Sequence, residues 1–228
     1  MAEIIALRQV DKVYKGPPDV HVLFGIDLVF EEGSFNSIVG ESGSGKSTLM
    51  NIIGTLDTPS AGEVVIAGKH TRTLRRDDLA ELRNRTIGFV FQFHYLLPEF
   101  SAIDNVLMPH VIGGKRPGRE VLEWADELFE LMGVAAVKHK PATRMSGGQQ
   151  QRVAIIRSLI NKPGIVLADE PTGNLDSTNT ATTYERFRDI NQRYGTTFVI
   201  VTHDRRIAEQ TDRIVEIRDG RIVLDISK

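Results

Sequence analysis

The segment that most constrains the fold is a glycine-rich loop that begins at Gly40 and reads Gly-Glu-Ser-Gly-Ser-Gly-Lys-Ser. It fits the pattern G-x-x-x-x-G-K-[ST] at every fixed position. The apolar run Ser34–Val39 precedes it, and apolar residues recur at helical spacing from Leu49 to Leu56. A strand that leads through such a loop into a helix places open backbone N–H groups beside the positive end of the helix dipole. The sequence therefore predicts a phosphate-binding loop.

Each fixed residue of this loop has a chemical task. Lys46 is expected to reach the β- and γ-phosphates of a nucleotide, and the Ser47 hydroxyl is expected to ligate Mg²⁺. The residues predicted to contact the nucleotide here are Gly40, Glu41, Ser42, Gly43, Ser44, Gly45, Lys46, Ser47 and Thr48. A glycine-rich turn without a ligand is the alternative, and the flanking strand and helix argue against it.

Two consecutive acids follow a second apolar run. Ile165–Ala168 has the composition of a buried strand, and Asp169 and Glu170 come directly after it. An aspartate at the end of such a strand can ligate Mg²⁺, while the next carboxylate can polarise a water molecule that attacks the terminal phosphate. Apolar strands that end in acids are common, so the acid pair alone is a weak indication of a catalytic site. Together with the phosphate-binding loop upstream it becomes a strong one.

A short motif, Ser146-Gly147-Gly148-Gln149, precedes a segment with apolar residues at helical spacing. Ser146 stands where a helix N-cap would be, and the two glycines leave backbone amides open at the start of the helix. Standing alone, the motif would be taken as an ordinary helix cap.

Composition excludes several classes of protein. The 228 residues include 28 basic and 30 acidic side chains, and this near-neutral balance gives no electrostatic footprint for nucleic acid. The chain has no cysteine, which excludes disulfides, thiolate zinc sites and a cysteine nucleophile. It shows neither a signal-peptide pattern nor a run of roughly 20 apolar residues. We therefore expect a soluble chain that reaches membranes only through a partner.

The order of predicted elements indicates one domain, residues 1–228, of the α/β class. Residues 1–92 and 159–228 are predicted to form the nucleotide-binding core, with an antiparallel β portion and a hairpin turn at Asp219-Gly220. Residues 93–158 are predicted to be a helical insert that carries the Ser-Gly-Gly-Gln motif. The expected fold is a P-loop nucleotide-binding core with an antiparallel β subdomain and a helical insert.

Taken together, these motifs resemble the ATP-binding subunit of an ATP-binding-cassette (ABC) transporter. The order and intervals typical of that family are followed by the phosphate-binding loop, Gln92, the Ser-Gly-Gly-Gln signature, Asp169-Glu170, Asp176 and His203. The resemblance covers residues 3–225. It implies a homodimer that encloses two ATP molecules and hydrolyses them with Mg²⁺ as cofactor. It also implies that the dimer drives an integral membrane permease at the cytoplasmic face of the inner membrane.

The resemblance assigns a role to each motif. Glu170, His203 and Gln92 are the implied catalytic residues, and the His203 imidazole is expected to bridge Glu170 and the γ-phosphate. Gln92 would sense the γ-phosphate, and it would share the Mg²⁺ ion with Ser47 and Asp169.

Other implied contacts bind the nucleotide from a distance along the chain. The signature residues Ser146, Gly147, Gly148 and Gln149 would contact ATP held by the other subunit, and Asp176 would lie on a loop between the two subunits. Tyr14 would stack on adenine, and packing at a strand edge is the alternative for this residue.

Two longer stretches narrow the resemblance within the family. Phe91–Pro98 and Ala168–Asp176 resemble the lipoprotein-releasing and macrolide-exporter branch, and the first stretch is closer to the lipoprotein-releasing members. The sequence Gly-Asn-Leu-Asp within the second stretch is shared with cell-division ATPases. The sequence Gln149–Arg152 is closer to that of macrolide exporters. Met145 stands where the family usually has leucine, a change of similar volume.

Alternative functions remain within and beyond this branch. A cell-division ABC ATPase, which signals through a membrane partner without transport, stays open. Chromosome and DNA-repair ATPases insert a long coiled coil between loop and signature, whereas Gly40 and Ser146 are 106 positions apart with no heptad tract between them. A binding module without activity is disfavoured by the presence of both Glu170 and His203.

Overall fold

The computed structural model describes residues 2–173 and 177–228, and within them it shows two β-sheets and seven α-helices. In chain order the elements are β1 (Glu3–Tyr14), β2 (Val20–Glu31), β3 (Phe35–Val39), α1 (Lys46–Ile53), β4 (Ala61–Ile66), β5 (Lys69–His70), α2 (Arg76–Thr86), β6 (Ile87–Val90), α3 (Ala102–Ile112), α4 (Arg119–Leu131), α5 (Gly147–Leu159), β7 (Ile165–Asp169), α6 (Ser177–Tyr194), β8 (Thr197–Val201), α7 (Arg205–Ala208), β9 (Arg213–Arg218) and β10 (Arg221–Ser227). Asp176 lies outside the described residues, so its place between two subunits stays a prediction.

The larger sheet has the strand order β10–β9–β3–β8–β7–β6. The strands from β9 to β6 run parallel, and β10 pairs antiparallel with β9 at one edge. The smaller sheet, β2–β1–β4–β5, is antiparallel throughout. The predicted fold class, a P-loop α/β core with an antiparallel β subdomain and added helices, is confirmed.

The central strands of the larger sheet are covered on both faces, and for this reason their sequences are continuously apolar. In β8, Phe198 and Ile200 pack into a hydrophobic cluster that includes residues of α3, α4, α5 and α6. Val199 and Val201 pack on the opposite face, in a cluster that includes residues of β1, β2, β4 and α1. All four side chains are fully buried. Full burial of each contributes roughly 1.5–3 kcal/mol, so the two clusters hold the sheet between its layers.

Parallel strands bring three segments to one edge of this sheet. β3 ends at Val39 directly before the phosphate-binding loop, and β7 ends at Asp169, which pairs in register with Val201 at the end of β8. In open α/β sheets, ligands bind outside the carboxyl ends of the strands. The fold therefore places the loop, the acid pair and the segment after β8 side by side.

Three helices lie between β6 and β7, in the part of the chain predicted as an insert. α3 and α5 each begin with a capping box, in which the hydroxyl of Ser101 or Ser146 accepts a hydrogen bond from the third N–H of its helix. Trp124 of α4 donates to the carbonyl oxygen of Leu159 at the end of α5, at 3.2 Å. The predicted limits of the insert, residues 93 and 158, fall after β6 and in the last turn of α5.

Two short elements are absent from the sequence-based expectation. β5 has two residues and α7 has four, so neither is long enough to show an alternating or helical pattern of apolar residues. α7 begins because the Asp204 side chain accepts a hydrogen bond from Arg206 N at 2.9 Å. None of the described helices combines the length and the apolar run that a bilayer crossing requires.

Helix α5 approaches β6 so closely at Gly88 that a larger residue does not fit there. A Cβ atom at this position would lie 2.2 Å from the carbonyl oxygen of Ser158 and 3.2 Å from Pro163 Cγ. We expect Gly88→Ala to lower the free energy of unfolding by about 1–3 kcal/mol, because the backbone must shift to relieve the overlap. Chemical denaturation of the full chain measures this change.

Gly16→Ala is the control for this prediction. A Cβ atom at position 16 would lie 3.6 Å from the carbonyl oxygen of Pro18, which is ordinary van der Waals contact. Its effect should stay within about 0.5 kcal/mol. Equal stabilities of the two variants would contradict the close packing of α5 on β6.

Candidate active site

A cleft of about 500 Å³ lies at the carboxyl ends of the parallel strands. It is lined by Val22, Ser42, Gly43, Gly45, Lys46, Ser47, Thr48, Gln92, Asp169, Glu170 and His203. These residues come from β2, the phosphate-binding loop with the first turn of α1, the last residue of β7, and the segments that follow β6, β7 and β8. The cleft therefore brings together, from distant parts of the chain, the residues predicted to act on phosphate.

The phosphate-binding loop ends at Gly45, which is the N-cap of α1. Gly45 has a φ of 105°, and a Cβ atom there would lie 2.9 Å from Leu23 Cδ2. Glycine is needed for both the backbone angle and the close approach to β2. Gly45 supplies no side-chain acceptor, so the first N–H groups of α1 are available to an anion in the cleft.

Lys46 is nearly buried, with 9% of the residue exposed, and its ammonium group lies across the loop. Lys46 Nζ donates to the carbonyl oxygen of Glu41 at 2.7 Å. The hydroxyl of Ser44 is buried without a hydrogen-bond partner among the described residues. A phosphate group would supply acceptors to such donors, so the loop has the chemistry of an anion site.

Ser47 and Asp169 face each other across the cleft. The Ser47 hydroxyl lies 3.4 Å from Asp169 Oδ2. Burial raises the pKa of Asp169, and the adjacent negative charge of Glu170 raises it further. A divalent cation at this point would relieve that repulsion, and a hydroxyl and a carboxylate are oxygen donors of the kind that Mg²⁺ takes.

The protein provides few ligands for a metal by itself. No group of three or more His, Asp or Glu side chains with metal-binding geometry is found in the described part of the chain. Mg²⁺ characteristically keeps several waters and binds through one or two carboxylates together with substrate phosphates. The small donor set of Ser47 and Asp169 therefore fits Mg²⁺ that arrives with a nucleotide.

Glu170 and His203 form a contact inside the same cleft. His203 Nδ1 lies 2.7 Å from Glu170 Oε1, and the Glu170 side chain is 18% exposed whereas that of His203 is 74% exposed. Glu170 has a positive φ of 45°, which is uncommon for a residue other than glycine. Its N–H donates to the carbonyl oxygen of Val201 at 2.9 Å. The carboxylate is thus held at the end of β7 by both its backbone and its imidazole partner.

Gln92 reaches the cleft from the other side. It follows β6 and Phe91, and its side-chain nitrogen lies 3.0 Å from where a Cβ atom of Gly173 would be. The side chain of Gln92 therefore packs against the turn that follows Glu170. A movement of this turn would therefore also displace the side chain of Gln92.

Other predicted residues lie apart from the cleft wall. Gly40, Glu41 and Ser44 form the body of the loop without lining the cleft. The Tyr14 hydroxyl donates to Asp57 Oδ2 at 2.8 Å, and Lys12 Nζ lies 4.7 Å from the centre of the Tyr14 ring.

The signature also lies apart from this cleft. None of Ser146, Gly147, Gly148 and Gln149 lines it. Ser146 N donates to Gln149 Oε1 at 3.0 Å, and Gln149 N donates to Ser146 Oγ at 3.3 Å. Within one chain, these residues cap α5, as their pattern predicts.

Val22 is a cleft residue that the sequence does not identify. It lies on β2 and lines the cleft beside the phosphate-binding loop. Its apolar side chain in an alternating strand gives no functional signal. Only the approach of the antiparallel sheet to the loop reveals its position.

Known proteins are similar to this chain in sequence and in fold. The ABC transporter family matches residues 23–173. The lipoprotein-releasing system ATP-binding protein LolD of Anaeromyxobacter dehalogenans is 50% identical over 231 residues, covering 99% of this chain and 97% of the relative. LolD of Aquifex aeolicus is 46% identical and covers 100% of both chains.

A solved structure has the same fold. The ATP-binding cassette MJ0796, described as a dimer in a post-hydrolysis state bound to ADP and Pi, superposes with a TM-score of 0.90. It is 40% identical, and the match covers 98% of both chains. The family match spans more than half of the chain and the relatives match it end to end. The chain therefore belongs to the ABC transporter family, as one of its ATPase subunits.

Proposed function

We propose that two copies of this protein enclose ATP and Mg²⁺ and hydrolyse ATP to ADP and phosphate to power a membrane permease that releases lipoproteins. The observation that supports hydrolysis most directly is the 2.7 Å contact between His203 Nδ1 and Glu170 Oε1 in the cleft that also contains Lys46. A carboxylate, an imidazole and a lysine around one phosphate site are the groups that γ-phosphate chemistry uses.

The residues of the cleft divide the chemical work. Lys46 and the N–H groups of the loop and α1 neutralise the phosphate oxygens, and Glu170 orients and deprotonates the attacking water. His203 holds Glu170 through Nδ1, which leaves its other ring nitrogen, Nε2, to contact the γ-phosphate.

Different residues are proposed to bind the metal ion and the base of the nucleotide. Ser47, Asp169 and Gln92 would hold Mg²⁺, which when bound adds positive charge beside the phosphate oxygens. Tyr14 would stack on adenine, since 41% of the residue is exposed at the end of β1.

A second copy would complete each site. Ser146 and Gly147 are exposed at the start of α5, and apart from neighbouring residues and the backbone of the helix itself no atom lies within 4 Å of a Cβ built on Gly147. An open helix N-terminus suits contact with the phosphates of a nucleotide bound to another subunit. The dimeric state described for the cassette MJ0796 supports this arrangement. Asp176 would lie between the two copies.

An exposed aromatic segment is the proposed docking site for the permease. Phe93 is 60% exposed, Tyr95 is 64% exposed and Leu97 is 42% exposed, at the start of the proposed insert 93–158. Beside them is a groove of about 470 Å³ lined by Leu56, Phe89, Phe91, Pro109 and Ile112, among other residues. A groove with apolar anchors suits the apolar face of a short amphipathic helix of the partner.

The backbone of this segment is held in place by α5. Arg157 Nη1 donates to the carbonyl oxygen of Tyr95 and Arg157 Nη2 to that of His94, both at 2.7 Å. Leu96, by contrast, is partly buried and packs against the hydrophobic cluster of the helices. Leu96 therefore supports the segment, and the aromatic side chains are the ones free to meet a partner.

Lipoproteins are the substrate class that the names of the relatives favour. Relatives at 46% and 50% identity over nearly the whole chain carry the name of the lipoprotein-releasing system. Attachment to the permease would hold the protein at the cytoplasmic face of the inner membrane. Purification from membranes with identification of the bound permease tests this assignment directly.

Glu170→Gln is expected to keep ATP affinity while lowering turnover by about 10²–10⁴-fold, because an amide cannot accept the proton of water. In size-exclusion chromatography, the variant should run as a dimer with ATP and Mg²⁺ and as a monomer without them. Glu130→Gln, at an exposed position on α4, is the control and should hydrolyse ATP like the wild type. Wild-type turnover in Glu170→Gln would refute the role of this carboxylate.

Lys46→Ala is expected to weaken ATP binding. The change removes a charge-assisted contact to phosphate, a class worth roughly 1.5–3 kcal/mol, so the Kd should rise by about one to two decades. Isothermal titration calorimetry measures the Kd, with Lys69→Ala at an exposed position of β5 as the control. Unchanged affinity in Lys46→Ala would contradict the assignment of the loop.

Phe93→Ala combined with Tyr95→Ala should lower recovery of the permease without unfolding the chain. An aromatic anchor at an interface is worth about 2 kcal/mol or more, which a pull-down detects. Basal ATP hydrolysis of the isolated subunit should stay within a few-fold. Val223→Ala with Leu224→Ala on β10, where the residues are 50% and 40% exposed, is the matched control. Normal recovery of the permease by the aromatic variant would place the docking surface elsewhere.

A further inference from the structure

Gln151 is a buried polar residue that joins the two loops on which Gln92 and Glu170 lie. It is 3% exposed and lies in the second turn of α5. Its Nε2 donates to the carbonyl oxygen of Phe91 at 3.2 Å and to that of Pro171 at 2.8 Å. Phe91 directly precedes Gln92, and Pro171 directly follows Glu170. One side-chain amide thus fixes the spacing between the backbones of two site segments.

The chemistry of a primary amide suits this task. The two N–H groups of a glutamine side chain can serve two acceptors at once. The Phe91 and Pro171 carbonyl groups face a buried amide, and a buried acceptor left without a donor is costly. A side chain of similar shape without donors would leave both carbonyl groups unsatisfied, and the two loops would then separate or shift.

The two loops also touch each other directly at the site. The side-chain nitrogen of Gln92 lies 3.0 Å from the position of a Cβ atom on Gly173. Glu170 in turn is tied to β8 through the hydrogen bond from its N–H to Val201 O. Gln151 therefore adds a side-chain bridge between these loops just beyond the ends of the paired strands β6 and β7.

Gln151 also belongs to the helix that begins with the signature. α5 starts directly after Ser146, and five residues of α-helix correspond to about 7.5 Å along the axis. The capping box of Ser146 and Gln149 fixes the start of this helix. If the signature moves and α5 moves with it as one helix, Gln151 moves as well, and with it the two carbonyl groups to which it donates.

We propose that Gln151 is a positioning residue, which sets Gln92 and Glu170 in the geometry for hydrolysis according to the position of the signature helix. This role rests on the proposed function, in which the signature of one copy contacts the nucleotide of the other. The helix that contacts the partner's ATP would then also align the attacking water of its own copy. Two sites linked in this way hydrolyse ATP cooperatively.

The adjacent residue provides a natural comparison. Gln150 Nε2 also donates to two carbonyl oxygens, those of Ala142 at 2.8 Å and Met145 at 3.1 Å. Both of these acceptors lie in the segment just before α5, away from Gln92 and Glu170. Gln150→Met and Gln151→Met therefore each remove one double donor, and only Gln151 donates to the backbone carbonyl groups beside Gln92 and Glu170.

The test compares steady-state ATP hydrolysis and ATP binding of the full chain in these variants. Gln151→Met should lower kcat by about 10- to 100-fold, because a displacement of the order of 1 Å costs up to about 10²-fold. Its Kd for ATP should stay within about two-fold, since Lys46 and its loop are unchanged, and its Hill coefficient should fall toward one. Gln150→Met should keep both kcat and cooperativity within about two-fold of the wild type.

Gln151→Asn keeps the two donors on a shorter side chain. This variant provides the test if Gln151→Met does not fold. It should show a smaller loss of kcat at unchanged Kd. Equal kcat values for the position 150 and 151 variants would overturn the role of Gln151, as would a loss of ATP affinity as large as the loss of kcat. A wild-type chain that does not hydrolyse ATP would instead overturn the proposed function, so the two failures are distinguishable.

Discussion

The parallel pairing of β3, β7 and β8 is the constraint on which the rest of this protein depends. Because these strands run in one direction, they deliver the phosphate-binding loop, Glu170 and His203 to the same edge of the sheet. Burial on both faces keeps the strands in register, so the positions of these three segments relative to one another are fixed by the sheet. The helices and the antiparallel sheet cover the two faces; the antiparallel sheet also brings Val22 to the cleft, and the segment after β6 brings Gln92 to it.

Charge at this edge is arranged before any ligand arrives. Lys46 is tied to a carbonyl of its own loop, while Asp169 and Glu170 stand side by side with the first of them partly buried. Lys46 and the two acids thus line one cleft, and within the described residues no ion pair joins Lys46 to either acid. A ligand that carries both negative phosphate and a divalent cation suits this site best. Lys46 then meets the phosphate, and the acids meet the divalent cation.

Features encoded in consecutive residues could be predicted from the sequence, and features made by distant contacts could not. The loop around Lys46 and the acids after β7 are local patterns whose geometry follows from strand, turn and helix. The two carbonyl groups held by Gln151 are 60 and 20 positions away, so nothing beside Gln151 in the sequence indicates them. Leu96 and Tyr95 are adjacent and both apolar in character, yet only the fold shows that the first is packed and the second exposed.

The way in which Arg157 holds the segment after Gln92 has a consequence for how this surface can change. Its guanidinium group binds main-chain oxygens of His94 and Tyr95 rather than their side chains. These two hydrogen bonds therefore do not depend on which side chains positions 94 and 95 display. A substitution at position 93 or 95 therefore leaves the donor and both acceptors of these hydrogen bonds in place. If the permease docks at this segment as proposed, partner choice would depend on side chains that take no part in holding the backbone through Arg157.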